Sequence, residues 1–464
     1  MLFNSLHFLG FFLVVFFIYW SLKPLKPKWQ NLFILIASYF FYGVWDWRFL
    51  LLIILSSTSD FLLAKLIEKG GRHKKRYLTL SILLNLSILA FFKYFNFFID
   101  SLVSLVNTLG YDLSPYALNL ILPVGISFYT FQTMSYCIDV SRGRIKACHN
   151  PLVFFSYVCF FPQLVAGPIE RAEKLLPQFE SQRTLTPKTV SSGLKLMLWG
   201  FFLKIAIADR VGIYVDSVYD YAEYLSNLSV LLATFFFGVQ IYCDFAGYSL
   251  IAIGIAKLLG FELTHNFNKP YLAKSHKAFW SRWHITLSNW FRDYVYIPLG
   301  GNRKGVIRTS VNLLITFALS GLWHGASWNF VLWGIFHALF LILEKATAKA
   351  KLPALLKGGL TFICINLLWV FFRSETLDKA LLIYNKIIHF SLNGFKMGDQ
   401  KVFYYSVLAV LILVTSEILN ESKLKLSPLF KGPQIVKFIC LTLLIVYIIT
   451  LGVFDQSQFI YFQF

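Results

Sequence analysis

TSVNLLITFALSGLWHGASWNFVLWGIFHALFLILE, residues 309–344, is the stretch that decides the fold class. It reads as two apolar runs, 309–325 and 328–344, each close to the roughly 20 residues that a helix needs to cross a bilayer core of about 30 Å. No Asp, Glu, Lys or Arg occurs from position 309 to position 343. A helix on the surface of a water-soluble globule would present a charged or polar face; these two runs have none, so lipid or other protein must surround them. Between them stands Ser320-Gly321-Leu322-Trp323-His324-Gly325-Ala326, which sets an ionisable ring between two glycines inside an otherwise apolar region.

Runs of the same kind recur outward from this pair, at about 5–22, 30–46, 48–65, 78–98, 121–140, 191–212, 229–256, 358–372, 402–419 and 436–454. The expectation is an all-α, polytopic integral membrane protein with eleven to thirteen transmembrane or re-entrant helices, built as a single membrane domain over 1–464. Composition agrees: 57% of the residues are hydrophobic and 14% charged, too little polar surface to cover a soluble globule of 464 residues. The first run, 5–22, has no basic segment before it and no small-residue cleavage site after it, and reads as a retained span.

The formal charge of +20 does not point to nucleic acid, because its Lys and Arg are scattered in short clusters between apolar runs. They read better as contacts with a cytoplasmic membrane surface. Lys23, Lys26 and Lys28, the basic residues from Lys65 to Arg76, and Arg142, Arg144 and Lys146 mark loops expected in the cytosol, with 257–308. The loops 99–120 and 213–228 contain no Lys or Arg and are expected outside. The 373–401 loop conflicts with this scheme, since it holds Arg373, Lys379, Lys386, Lys396 and Lys401 where the count asks for an outer segment. Six cysteines without a CxxC pair suggest neither zinc nor a disulfide framework.

Three places interrupt apolar runs in ways that a lipid-exposed helix avoids: Pro123 with Gly125, Pro162 with Gly167 and Pro168, and Gly321 with Gly325. Broken or re-entrant segments are expected there. Residues 275–298 differ again. Phe279, Trp280, Trp283, Leu287, Trp290, Phe291 and Tyr294 recur at helical spacing between Lys277, Arg282, Asn289, Arg292 and Asp293. That pattern predicts an amphipathic helix, lying at the interface or packed into the domain, with His284 on the border of its apolar stripe.

The chain has no phosphate-binding glycine loop, dinucleotide fingerprint, nucleophile elbow or HExxH pair. Chemistry therefore falls to histidines and intramembrane charges, which are expensive to bury. His324 has the best context: as a neutral imidazole it can take a proton from an attacking hydroxyl. The bland alternative is a buried ring bonded to a carbonyl at a helix contact, and context alone favours that alternative. His284 can orient a donor or polarise its carbonyl, against the alternative of an interfacial helix with Trp and Arg anchors. His337 reads as a packing residue. Asp244 lies inside a long apolar segment and needs a partner, for which Arg282, Arg292 and Lys204 are the choices; a structural tie is the expected role.

These residues also carry a resemblance. Phe279-Trp280-Ser281-Arg282-Trp283-His284, Tyr296-Ile297-Pro298-Leu299-Gly300-Gly301-Asn302-Arg303 and Trp323-His324-Gly325 stand in order after Trp45-Asp46-Trp47-Arg48-Phe49, 122–132 and 160–169. Together they resemble the membrane-bound O-acyltransferase family, in the bacterial branch that includes alginate O-acetyltransferase and the teichoic-acid D-alanyl transfer protein. The resemblance implies a multi-helix fold around a funnel or tunnel, with His324 as the catalytic base and His284 matching the family's second histidine. It implies an O-acyltransferase of the bacterial inner (plasma) membrane that takes an acetyl group from a cytosolic donor such as acetyl-CoA, without a tightly bound cofactor or metal. The acceptor is then a cell-envelope or secreted polysaccharide, or the hydroxyl of an extracytoplasmic SGNH-type acetyltransferase partner. D-alanyl transfer to teichoic acid and a non-catalytic acyl transporter or export subunit are the competing readings.

Overall fold

The computed structural model describes all residues except 115–117, 119, 166, 348–351, 392–393, 422–432, 455–458 and 461–464, together with the backbone alone of Asn420. Ala166 of the 160–169 motif and part of the 99–120 loop therefore lie outside the described residues. Among those described there is no strand, and nine helices are long and apolar enough to cross a membrane. With the shorter helices Leu6–Ser21, Pro27–Gly43 and Ile126–Ser141 they account for all twelve apolar runs. The chain is a multi-pass membrane protein. Two runs grow into longer helices, Lys74–Thr108 and Pro187–Asp220, which absorb an extra residue each as π-helical turns at Ala90–Tyr94 and Phe202–Ala208.

Contacts divide the chain into two compact units, Met1–Lys195 with Ala252–Thr264, and Leu196–Ile251 with His265–Phe464. In the first, helices Arg48–Lys69, Lys74–Leu89 and Ile126–Ser141 meet around Asp60, which is fully buried. Ser81 Oγ and Asn85 Nδ2 donate to its carboxylate at 2.6 and 2.7 Å, and Ser56 Oγ donates to Asn85 Oδ1 at 3.1 Å. Hydrophobic burial does not distinguish lipid from a neighbouring helix, so polar ties of this kind select the helix packing.

The second unit is organised by aromatic side chains, with Trp283, Trp333, Trp369, Phe279 and Phe372 buried in one core. Helices Gly305–His324 and Trp328–Ala346 form a tight hairpin inside it. A Cβ at Gly321 would stand 2.0 Å from the Phe330 carbonyl oxygen, and one at Gly334 would stand 2.0 Å from that of Phe317. Only glycine permits so close an approach of two backbones. The expected break lies here too: the first helix ends at His324, Gly325 is extended, and the next begins at Trp328.

The basic loop that conflicted with the charge scheme is explained by its partners. Arg373 donates to Asp216 at 2.8 Å, and Lys386 Nζ donates to the carbonyls of Glu223 and Leu225 at 2.9 and 2.8 Å. Segment 373–401 thus shares one end of the unit with the acidic 213–228 segment, and two of its five basic side chains, Arg373 and Lys386, are held by it. Asp244 finds the third of its three expected partners: Lys204 Nζ lies 2.6 Å from Asp244 and 2.7 Å from Asp209, all three side chains being buried.

The segment 275–298 is not one helix. It forms two short ones, His276–Trp280 and Ile285–Phe291, followed by a π-helical turn at Arg292–Tyr296. The break falls at His284, whose backbone is left-handed with φ 40° and ψ 54°. Phe279, Trp283, Leu287, Trp290 and Phe291 still converge on the interior, so the segment packs into the unit.

Candidate functional site

His284 and His324 come together in the second unit although 40 residues separate them in sequence. Their ring centroids are 6.3 Å apart, and the two residues are 1% and 2% exposed. His324 ends its helix with its ring edge-on to Trp333 at 5.1 Å and to Phe372 at 5.5 Å. The neighbouring Gly325 is required there, since a Cβ would fall 2.1 Å from the Phe330 ring. The result is an imidazole held in an aromatic box at the tip of a rigid hairpin.

His284 reaches the same place by a strained elbow. A non-glycine residue at φ 40° is uncommon and must be held by its surroundings. Ile285 N donates to the Asn266 carbonyl at 2.9 Å, and the Asn266 side-chain oxygen meets His284 Nδ1 at 3.2 Å. Arg282, two residues earlier, is pinned by Glu421 at 2.9 Å, which also takes Lys269 at 3.1 Å. Phe245 stands edge-on to the His284 ring at 4.6 Å, and Phe459 packs behind Phe245 at 5.5 Å. Ile460 N donates to Asp244 at 2.7 Å, which ties this end of the chain to the Lys204 group.

A cavity of about 1280 Å³ lies in the same unit, lined by Leu287, three residues after His284, and by Ser320, four before His324. Lys274, Lys277, Arg292, Lys345 and Lys357 line it, with Glu344 as its single carboxylate. Its walls are Trp280, Phe291, Leu313, Phe317 and Phe340, and along helix Gly305–His324 it runs from Thr309 to Ser320. Ser320 is one helical turn before His324. The cavity therefore has cationic groups, an apolar wall, and an end at Ser320 on the helix that closes with His324. His276, to which sequence reasoning gave no role, lines it as well, and His337 lies behind it at 5.5 Å from His276 and 4.7 Å from Trp333. Nothing in sequence spacing announces His276 or Asn266.

Burial holds two of these rings neutral, pushing His284 down to about 3 and His276 down to about 4. An unfolded chain takes protons on both rings as pH falls below about 6.5, while the folded chain does not. Stability that is present above about pH 6.5 is therefore lost as pH falls toward 4, by up to about 1.4 kcal/mol per pH unit for each ring. The melting temperature of the detergent-solubilised protein should drop between pH 6.5 and 4.5, and His276→Phe should make that decline shallower. An equally steep decline in the variant would assign it to other groups.

The sequence profile of the membrane-bound O-acyltransferase family matches residues 70–355. A probable alginate O-acetylase of Pseudomonas aeruginosa is 38% identical over 427 residues, covering 88% of this chain and 81% of that protein. A peptidoglycan O-acetyltransferase of Helicobacter pylori is 35% identical over 421 residues, covering 83% and 77%. A teichoic acid D-alanyltransferase of Bacillus subtilis is 30% identical over 253 residues, covering 50% and 62%.

Proposed function

Because the chain belongs to the membrane-bound O-acyltransferase family, and is an O-acyltransferase on that ground, we propose that it moves an acetyl group from a cytosolic thioester donor to a hydroxyl of a cell-envelope polysaccharide. The observation that carries this reading is the cavity, which leads from a cationic rim to within one helical turn of His324. Lys274, Lys277, Arg292, Lys345 and Lys357 suit the phosphates of acetyl-CoA or of a pantetheine carrier, as point charges or as a planar fork. The apolar walls suit the arm, and place its thioester toward the histidines.

In the proposed reaction His324 accepts the proton of the attacking hydroxyl as its oxygen bonds to the acyl carbon. The tetrahedral intermediate then expels the thiolate, the C–S bond breaks, and the imidazolium returns the proton to sulfur. Ester and thiol are the products, and the ring ends neutral. His284 handles the donor in this scheme. Greater identity and coverage in the acetylase relatives than in the D-alanyltransferase relative favour acetyl over D-alanyl. The loop charges support a cytosolic face for the cationic rim in a bacterial inner membrane, and an extracytoplasmic SGNH-type protein is the expected partner where the acetyl group is relayed before it reaches the glycan.

The test is donor kinetics on the purified protein in nanodiscs. Acetyl-CoA should be used in preference to a D-alanyl carrier protein, and Lys277→Glu with Lys357→Glu should raise its KM about tenfold or more, since reversing charges at an anion site replaces attraction with repulsion. A KM equal to that of the unaltered protein would remove the cavity from donor binding, and a preference for the D-alanyl carrier would move the assignment to the other branch.

A further inference from the structure

The contacts around His284 contain more information than its position. Asn266 is 1% exposed, and its side-chain oxygen receives Thr286 N at 3.2 Å, Thr286 Oγ1 at 3.0 Å and lies 3.2 Å from His284 Nδ1. The orientation of a side-chain amide is ordinarily ambiguous, because its oxygen and nitrogen look alike. Here it is decided by chemistry: the backbone N–H of Thr286 can only donate, so the amide atom facing it must be the oxygen. An amide oxygen can only accept, so the His284 nitrogen that meets it must carry the hydrogen. In a neutral imidazole the opposite nitrogen, Nε2, then carries the lone pair.

We propose that Asn266 is a positioning residue that fixes His284 as the Nδ1–H tautomer, so that His284 meets the donor as a hydrogen-bond acceptor and not as a hydrogen-bond donor that polarises the acyl carbonyl. The same residue sets the elbow that aims the ring, because its backbone carbonyl accepts Ile285 N at 2.9 Å across the left-handed turn. One side chain and its own carbonyl thus fix both the direction and the protonation pattern of the ring. The Nε2 lone pair suits a hydrogen bond from an N–H of the donor's arm, in keeping with donor handling, while the hydroxyl proton passes to His324 and returns from there to the departing thiolate. This inference rests on His284 belonging to the reaction centre proposed above, but the tautomer itself does not.

The experiment therefore reads the tautomer first. The full chain, carrying ¹⁵N-histidine, is placed in nanodiscs near pH 7.5, and the His284 ring nitrogens are observed by NMR. Assignment uses the His–Ile step at 284–285, which occurs once in the sequence. The expected result is a protonated Nδ1 and an unprotonated Nε2; the reverse pattern overturns the proposal, whatever the activity. Asn266→Ala should mix the two tautomers and lower kcat about ten- to hundredfold, the usual cost of removing a group that orients a functional histidine, with KM within about threefold. Asn266→Asp keeps an acceptor oxygen in the same place and should restore the tautomer and most of kcat. An Asn266→Ala protein with the wild-type tautomer and kcat overturns the proposal as well. Failure of the acetyl assay with the expected tautomer present would instead count against the reaction and leave the positioning role standing.

Discussion

His324→Ala should reduce acetyl transfer by about 10²–10⁴-fold, the range that a positioned general base contributes. The ring lies one helical turn beyond Ser320, which lines the cavity, and no other titratable side chain shares its helix tip. Truncation also leaves a gap among Trp323, Trp333 and Phe372. His324→Gln, which keeps most of the volume, therefore separates the loss of the base from the loss of packing. Both variants should be compared at equal folded protein, with the thermal melt recorded beside the rate. Substantial activity in a folded His324→Gln protein would take the residue out of the mechanism.

The largest effect on stability is expected at Lys204, which stands between Asp209 and Asp244 with 1% of its side chain exposed. Lys204→Met removes the cation that both carboxylates share and leaves them buried and facing each other. Breaking a buried pair in this way typically costs about 3–5 kcal/mol, a large part of the total stability of a typical domain. The variant should be recovered at low folded yield with a strongly lowered melting temperature. Lys204→Met combined with Asp209→Asn and Asp244→Asn removes all three charges together and should recover much of the loss, because neutral replacement of a buried ion group is often tolerated. A single variant that melts with the unaltered protein would show that the group is not a structural tie.

Most of the membrane architecture was legible because apolar runs of helical length have few alternatives in a bilayer, where each backbone group must be satisfied internally. The breaks at Gly125 and Gly325 were legible for the same reason, as they coincide with a left-handed cap and a ring contact, whereas Gly321 lies inside an unbroken helix and serves a close backbone contact. The break at His284 was not. Its aromatic neighbours keep helical spacing on both sides, and spacing carries no information about one residue held in the left-handed region by a side chain eighteen positions earlier. Asp60 shows another limit: it was not singled out in the sequence, and Ser81 and Asn85, which complete it, are common polar residues on another helix. Lys204 was named for Asp244 because a buried charge demands an opposite one, yet choosing it over Arg282 required knowing that Glu421 already holds that guanidinium. Histidines 284 and 324 were singled out by context and resemblance; that they face each other is a matter of tertiary packing.

Entry of an acyl group at the cationic rim and its exit as an ester on the other side of the membrane can be followed in sided proteoliposomes. Protein is reconstituted in one orientation, radiolabelled acetyl-CoA is supplied only on the side exposing Lys274 and Lys277, and the hydroxyl acceptor, a polysaccharide with its SGNH-type partner, is sealed on the opposite side. Label should appear in base-labile ester on the sealed acceptor and be lost when His324 is replaced by Gln. Label that appears only when donor and acceptor share one side, or that is unchanged in the variant, would contradict this route.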